Sequence, residues 1–424
     1  MKILVFTVPS WNSKVGANSW ATLLSQYDSN DIANIYIRDE IPDSDICSRY
    51  FNISENKVIK SILKRNFPTG KEVCAQKCEE QNDADLQAHN ARYQKMKQKR
   101  RYSMLLAREL VWKLGKWKTK ELDAFLDDFK PDIILHSMDG YIHLNRIIEY
   151  AIKRTGARAV GYIWDDNFTY KQHSNFGYKF YRYFQRRSLV KLAKKTDEFF
   201  AISDFTKEEA DRFFNVNCHI LTKPLNSEPK VEYGEIQKPI KMLYTGNLFI
   251  GRDQSLLKLV KIMERLPENS VFLDVYTQTP LTEAQMAQID PKVCCIHEPI
   301  AQAEVLKKQK EADILLFLEA IDGPDAKVAR LSFSTKITDY LSSGHCIFAI
   351  GNSDTAPMQY FIRNHAAIVA DNEDDMKARL DEICENPTVL LEFAQRSSEL
   401  GLKNHNSDLI QDRFNSVVSS VYQR

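Results

Sequence analysis

The chain has 424 residues, 43% of them hydrophobic, and a formal net charge of +1 from 58 basic and 57 acidic side chains. That length and apolar content suffice for two substantial cores, so two domains are expected. The balanced charge excludes a whole-protein field of the kind that gathers nucleic acid, and no run approaches the roughly 18 apolar residues of a membrane span. Eight cysteines lie scattered without zinc-ligand spacing, which predicts reduced thiols, a reducing compartment and no structural metal.

In chain order, KILVFTV at 2–8 reads as a buried strand, followed by a polar loop containing Gly16 and then a helix. Strand, loop and helix is the repeating unit of doubly wound sheets, whose ligands gather at the carboxyl ends of strands. NIYI at 34–37 reads as a second strand, and the pattern from 60 to 130 is polar and helical. PDIILHS (131–137) and ARAVGYIWDD (157–166), joined by a helical segment, predict a parallel pair. His136, Asp165 and Asp166 thereby fall at strand ends. Adjacent Asp165 and Asp166 suggest hydrogen bonding or loop structure rather than a metal site.

Two basic runs with apolar or aromatic residues, within 95–120 and 178–195, read either as solvated faces or as a surface meeting anionic lipid headgroups. On the second reading each Lys or Arg contributes about 1 kcal/mol. Nucleic acid is not expected, since no recognisable binding motif accompanies them.

SEPKVEYGEIQKP at 227–239 is a linker by composition, and strands alternate with helices again beyond it. In YTGNLFIGRDQ, Gly246 ends a strand and Arg252 stands at a helix start. A cation there is unfavourable against the helix dipole unless an anion is bound, and a guanidinium grips a diphosphate bidentately. LSFSTKITDYLSSGHCIFAIG (331–351) predicts a capped amphipathic helix and a buried strand. The unpaired N–H groups near Ser334 and Thr335, with Lys336, make a phosphate site; Asp339, one turn on, suits ribose hydroxyls; Gly344 stands where positive φ is needed.

The order Phe333, Ser334, Lys336, Asp339, Tyr340, Gly344 resembles the donor-binding segment of family 4 retaining glycosyltransferases. The resemblance implies an α/β chain of GT-B architecture, two Rossmann-like domains facing across a cleft: 1–226 for the acceptor, 227–406 for the nucleotide-sugar, with the helix about 407–424 packed back on the first. It further implies transfer from a UDP- or GDP-linked sugar to a hydroxyl of a glycan or lipid-linked glycan, with retention, without a cofactor or required metal. The cytoplasmic side of a bacterial membrane, in cell-surface glycan assembly, is the implied setting. In that frame the Gly16 loop lies under the donor phosphates, the acceptor lies against Gly16, His136 and Asp165, and His297 stands where the nucleobase is held. The chain departs from the family at Leu331 and Asp339, where two glutamates eight positions apart are usual, at Asn247 in place of a basic residue, and at Trp164 in place of histidine. Two other readings stay open: a GT-B sugar-nucleotide epimerase, and a non-catalytic nucleotide-sugar-binding scaffold.

Overall fold

The computed structural model describes residues 1–11, 19–64, 67–75 and 102–424. Eight strands form a first sheet: β1 (Ile3–Thr7), β2 (Ile32–Tyr36), β3 (Arg49–Ile53), β4 (Gly70–Val73), β5 (Ile133–Ser137), β6 (Arg158–Ile163), β7 (Glu198–Ala201) and β8 (His219–Ile220). Their spatial order is β4-β3-β2-β1-β5-β6-β7-β8, parallel except for β4 at the edge. A second, all-parallel sheet has the order β11-β10-β9-β12-β13-β14, from β9 (Ile240–Thr245), β10 (Val271–Tyr276), β11 (Cys294–His297), β12 (Ile314–Leu318), β13 (Cys346–Ile350) and β14 (Ile368–Ala370). Helices cover both faces of each, so the central strands ILVFT, ILLFL and CIFAI are buried throughout and read as unbroken apolar runs.

In each sheet the chain winds outward from a central strand, then returns to wind the other way. The reversal falls between β1 and β5 in the first sheet and between β9 and β12 in the second. Connections leave such a pair in opposite directions, which opens a crevice at the carboxyl ends of those strands. The fold thus presents two crevices, one per sheet.

The last helix, Ser407–Tyr422, returns to the first sheet. Ile410, Phe414, Val418 and Val421 are buried in one cluster with Ile3, Val5, Tyr162 and Phe200. Arg413 Nη1 donates to the Ile220 carbonyl at 2.8 Å. Where the chain crosses between the sheets, buried His405 ties the strands of connection together: Nδ1 lies 2.9 Å from the Lys223 carbonyl and Nε2 2.8 Å from the Tyr360 hydroxyl. Gly344 has φ +77° as its position requires, and a Cβ there would lie 1.9 Å from the Lys230 carbonyl oxygen, so linker and helix end approach too closely for any side chain.

Candidate active site

The second crevice holds a compact charged cluster. Ser334 caps the helix Thr335–Leu341, its hydroxyl accepting from the Lys336 amide at 3.4 Å. The Lys336 side chain runs back to the end of β9, where Nζ sits 4.4 Å above the Tyr244 ring and 3.4 Å from its hydroxyl. Gly246 makes that approach possible: φ is +139°, and a Cβ there would lie 2.0 Å from Nζ. Arg252 opens the next helix and is gripped bidentately by Glu319, just past β12, with Nε–Oε2 2.9 Å and Nη2–Oε1 2.7 Å. Burial, and after it the nearby Arg252 charge, push the Lys336 ammonium down to about 8. Two cations against one carboxylate, at a helix start and a strand end, leave this crevice with an unsatisfied positive charge.

The structure therefore brings together Lys336, Arg252, Gly246, Ser334 and Thr335. Asn247 contributes its carbonyl, which accepts from the Tyr244 hydroxyl at 2.7 Å. His297 ends β11, two strands or roughly 10 Å from β9. It stacks on Tyr276 at 4.5 Å and meets Asp274 through Nε2 at 2.6 Å. Asp339 is tied to the segment just before the linker instead of standing open: its Oδ1 accepts from Lys223 Nζ at 2.8 Å and Asn226 Nδ2 at 2.7 Å. Gly16 lies outside the described residues.

The first crevice holds acid. Asp165, past the end of β6, accepts from the hydroxyl of Ser332, which belongs to the segment leading into the Lys336 helix. Beside it Asp139, beyond β5, accepts from the Ser137 hydroxyl at 2.6 Å. Burial, helped by the neighbouring Asp165 carboxylate, pushes the Asp139 carboxyl up to about 6. Asp166 does loop work, accepting from the Thr169 amide at 2.8 Å and from its hydroxyl. Ser332 and Lys336 are four positions apart, so their Cα atoms are at most about 14 Å apart and one short stretch of chain joins the acid pair to the cationic cluster.

His136 corrects the expectation drawn from strand position. Its ring is 0% exposed in the first core, Nε2 3.1 Å from the Thr196 hydroxyl, and burial lowers its pKa to about 4. Gly161 on the paired strand leaves the room it occupies. It is a neutral packing residue and does not line the cleft.

Leu331, where the resemblance would place a glutamate, is also turned into the protein interior. It is 0% exposed and packs into the hydrophobic core of the first domain, while its carbonyl accepts from Thr206 Oγ1 at 3.0 Å. Next to it buried Arg330 pairs with Glu209 at 2.7 Å. An apolar side chain stands here because it is buried across the lobes, where a carboxylate would lack a partner.

This architecture is that of GT-B glycosyltransferases, two Rossmann-like sheets with a cleft between them. Anabaena HepE in complex with UDP aligns over 99% of this chain and 100% of its own at TM-score 0.63 and 10% identity; its complex with UDP-glucose aligns over 99% and 100% at 0.59 and 10%. Sucrose-phosphate synthase from Thermosynechococcus elongatus aligns over 100% of this chain and 99% of its own at 0.61 and 9% identity. At such identities the likeness is one of fold. No family model and no curated protein matches the sequence.

Proposed function

We propose that the chain is a glycosyltransferase that moves a sugar from a nucleotide-diphosphate sugar to a hydroxyl of a glycan acceptor with retention of configuration, independently of metal. The observation that carries this is the buried Lys336–Arg252 cluster at the switch point of the second sheet. UDP is the favoured carrier because HepE, of the same fold, holds UDP and UDP-glucose. In this reading Lys336, Arg252 and the free amides near Ser334 and Thr335 compensate the charge growing on the departing diphosphate. The bond from the anomeric carbon to the phosphate oxygen breaks as the bond to the acceptor oxygen forms, and the acceptor proton passes to the departing oxygen on the same face. Asp165 and Asp139 orient the acceptor, and the Leu331 contact keeps water out of the closed cleft.

One observation favours a second course. A carboxyl poised near 6, as at Asp139, is suited to taking the acceptor proton, and a base on the opposite face gives inversion. Proton NMR of the first product formed from UDP-glucose and an acceptor panel separates them. Retention gives the α-linked product; a β-linked product establishes the inverting course, and release of UDP without any transfer contradicts both.

The acceptor is proposed to be lipid-linked, presented at the cytoplasmic face of a bacterial membrane during surface-glycan assembly. Among the described residues no helix is long and apolar enough to cross a bilayer. Three neighbouring helices, Glu55–Leu63, Tyr102–Leu114 and Phe176–Ala193, expose apolar side chains, Leu63 at 90% and Phe176 at 82%, among Lys60, Lys113 and Lys179. Residues 95–101 of the first basic run lie outside the described residues. Phe176, Phe180 and Phe184 form a ladder along one helix face, with centroids 6.1 and 5.2 Å apart. The chain is expected to sediment with vesicles containing anionic lipid, and a Leu63→Ser/Phe176→Ser/Phe180→Ser variant to lose at least tenfold of that binding. Equal binding to neutral vesicles removes the support for this surface.

A further inference from the structure

A cavity of about 550 Å³ opens between the lobes; its lining is separate from the Lys336–Arg252 and Asp165–Asp139 clusters and shares Lys179 with the exposed apolar surface described above. One wall is the loop after β6 and the start of the helix that follows, including Lys171, Gln172, Asn175 and Lys179. The other is the loop after β12, including Asp322 and Lys327, with Asn352. That second loop begins at Glu319, the carboxylate that orients Arg252, so cavity and cationic crevice share one stretch of chain.

Its charge is unbalanced. The lining has three lysines and one carboxylate, and that carboxylate, Asp322, is engaged by Lys258 at 2.6 Å. Lys171 and Lys327 end a ladder of ion pairs that crosses between the lobes beneath the cavity. Lys171 meets Glu209 at 2.8 Å, Glu209 meets Arg330 at 2.7 Å, Arg330 meets Asp354 at 3.4 Å, and Asp354 meets Lys327 at 3.1 Å. The ladder has three cations to two anions. Lys179 adds a charge with no ion pair among the described residues.

Behind the walls the imbalance deepens. Arg330 is 1% exposed and Arg182 is 4% exposed, and Nε and Nη1 of each lack a hydrogen-bond partner. Arg182 is joined to the cavity wall through Gln172, which accepts from its Nη2 at 2.6 Å and donates to the Val328 carbonyl of the other lobe at 2.6 Å. Asn175 caps the 18-residue helix whose positive end faces this space. Lysines from both lobes, two under-satisfied buried guanidinium groups and a helix start surround a volume fit for one or two sugar rings. A neutral ligand leaves that potential uncompensated; an anion neutralises it and bridges the lobes.

We propose that this cavity is an acceptor subsite for an anionic group, a phosphate or carboxylate carried by the sugar, with Lys179 and Lys327 as its main contacts. The assignment to the acceptor rests on the glycosyltransferase reading; the anion site itself does not. It makes the substrate class a phosphorylated or uronic-acid-bearing glycan.

Glucose 6-phosphate, glucuronate and glucose are to be titrated calorimetrically into the full chain, with and without saturating UDP. The wild type and the variants Lys179→Ala/Lys327→Ala and Lys336→Met are compared. At least one anionic probe is expected to bind tenfold or more tighter than glucose. The double variant is expected to lose at least tenfold of that affinity while its affinity for UDP is unchanged, and Lys336→Met to keep the anionic probe while losing UDP. Preference for glucose 6-phosphate assigns a phosphate, preference for glucuronate a carboxylate. If neither anion outcompetes glucose, or the double variant binds them as the wild type does, the subsite is overturned. If UDP fails to bind while the anions still depend on Lys179 and Lys327, the site stands and the donor reading falls.

Discussion

Replacing Lys336 by methionine is expected to stabilise the folded chain at pH 7 and at the same time to abolish diphosphate binding. The ammonium is held at about 8 in the fold against 10.5 in its ordinary state, by burial and by Arg252. A folded-state pKa below the unfolded one means that the unfolded chain binds more protons between those values. The penalty is therefore fully present below pH 8 and is relieved as pH rises from about 8 to 10.5. It amounts to up to about 3 kcal/mol. Methionine keeps the apolar stem against Tyr244 and removes the charge, so a gain of about 1–3 kcal/mol is expected at pH 7. The wild type should gain stability across the alkaline window and the variant should not. Losing a charge-assisted contact to the diphosphate costs about 2–4 kcal/mol, or roughly 30- to 1,000-fold in affinity. Denaturant titrations at pH 7 and 10 with UDP titrations check both halves; a variant less stable at pH 7 contradicts the account of the cluster.

Leu331→Glu, which introduces the glutamate usual at the matching position of family 4 glycosyltransferases, is expected to weaken the protein rather than improve it. Leu331 fills the core of the opposite domain with no exposure, beside the Arg330–Glu209 pair. Removing a buried leucine costs about 2–5 kcal/mol, and a carboxylate placed there without a partner adds several more unless the lobes part to hydrate it. The expected result is a loss of at least about 3 kcal/mol at pH 7, or an opened cleft seen as an increased radius of gyration in solution scattering, with transfer activity reduced in either case. Wild-type stability and compactness in the variant would show that Leu331 does not hold the lobes together.

Much of the fold was legible because parallel strands buried on both faces leave continuous apolar runs, as in Ile3–Thr7, Ile314–Leu318 and Cys346–Ile350. β3 and β4 were not read. RYFNI opens on Arg49, whose charge is answered by Glu72 and Asp128 at a distance, and is interrupted by Asn52, while GKEV is a short edge strand. In the site, Lys336 and Arg252 were legible from helix starts and Gly246 from a strand end, since those signals are local. Glu319 and Asp139 were not, because each acquires its role from a through-space partner, Arg252 in one case and Asp165 in the other. His136 shows the limit from the other side. Its position at a strand end was readable, but the face it takes and the space left by Gly161 depend on strand register. Leu331 reads along the chain as a lost acid, and only the packing of one domain on the other shows it as a gained contact.

Calorimetric titration of UDP into the full chain at pH 8, in buffers of different ionisation enthalpy, tests the central claim most directly. With Lys336 half protonated in the free protein, a diphosphate that grips it must raise its pKa, so the account predicts one site per chain with uptake of about half a proton. That uptake should vanish, with nearly all the affinity, in Lys336→Met. Absence of UDP binding to the wild type, or binding of undiminished affinity in the variant, would contradict it.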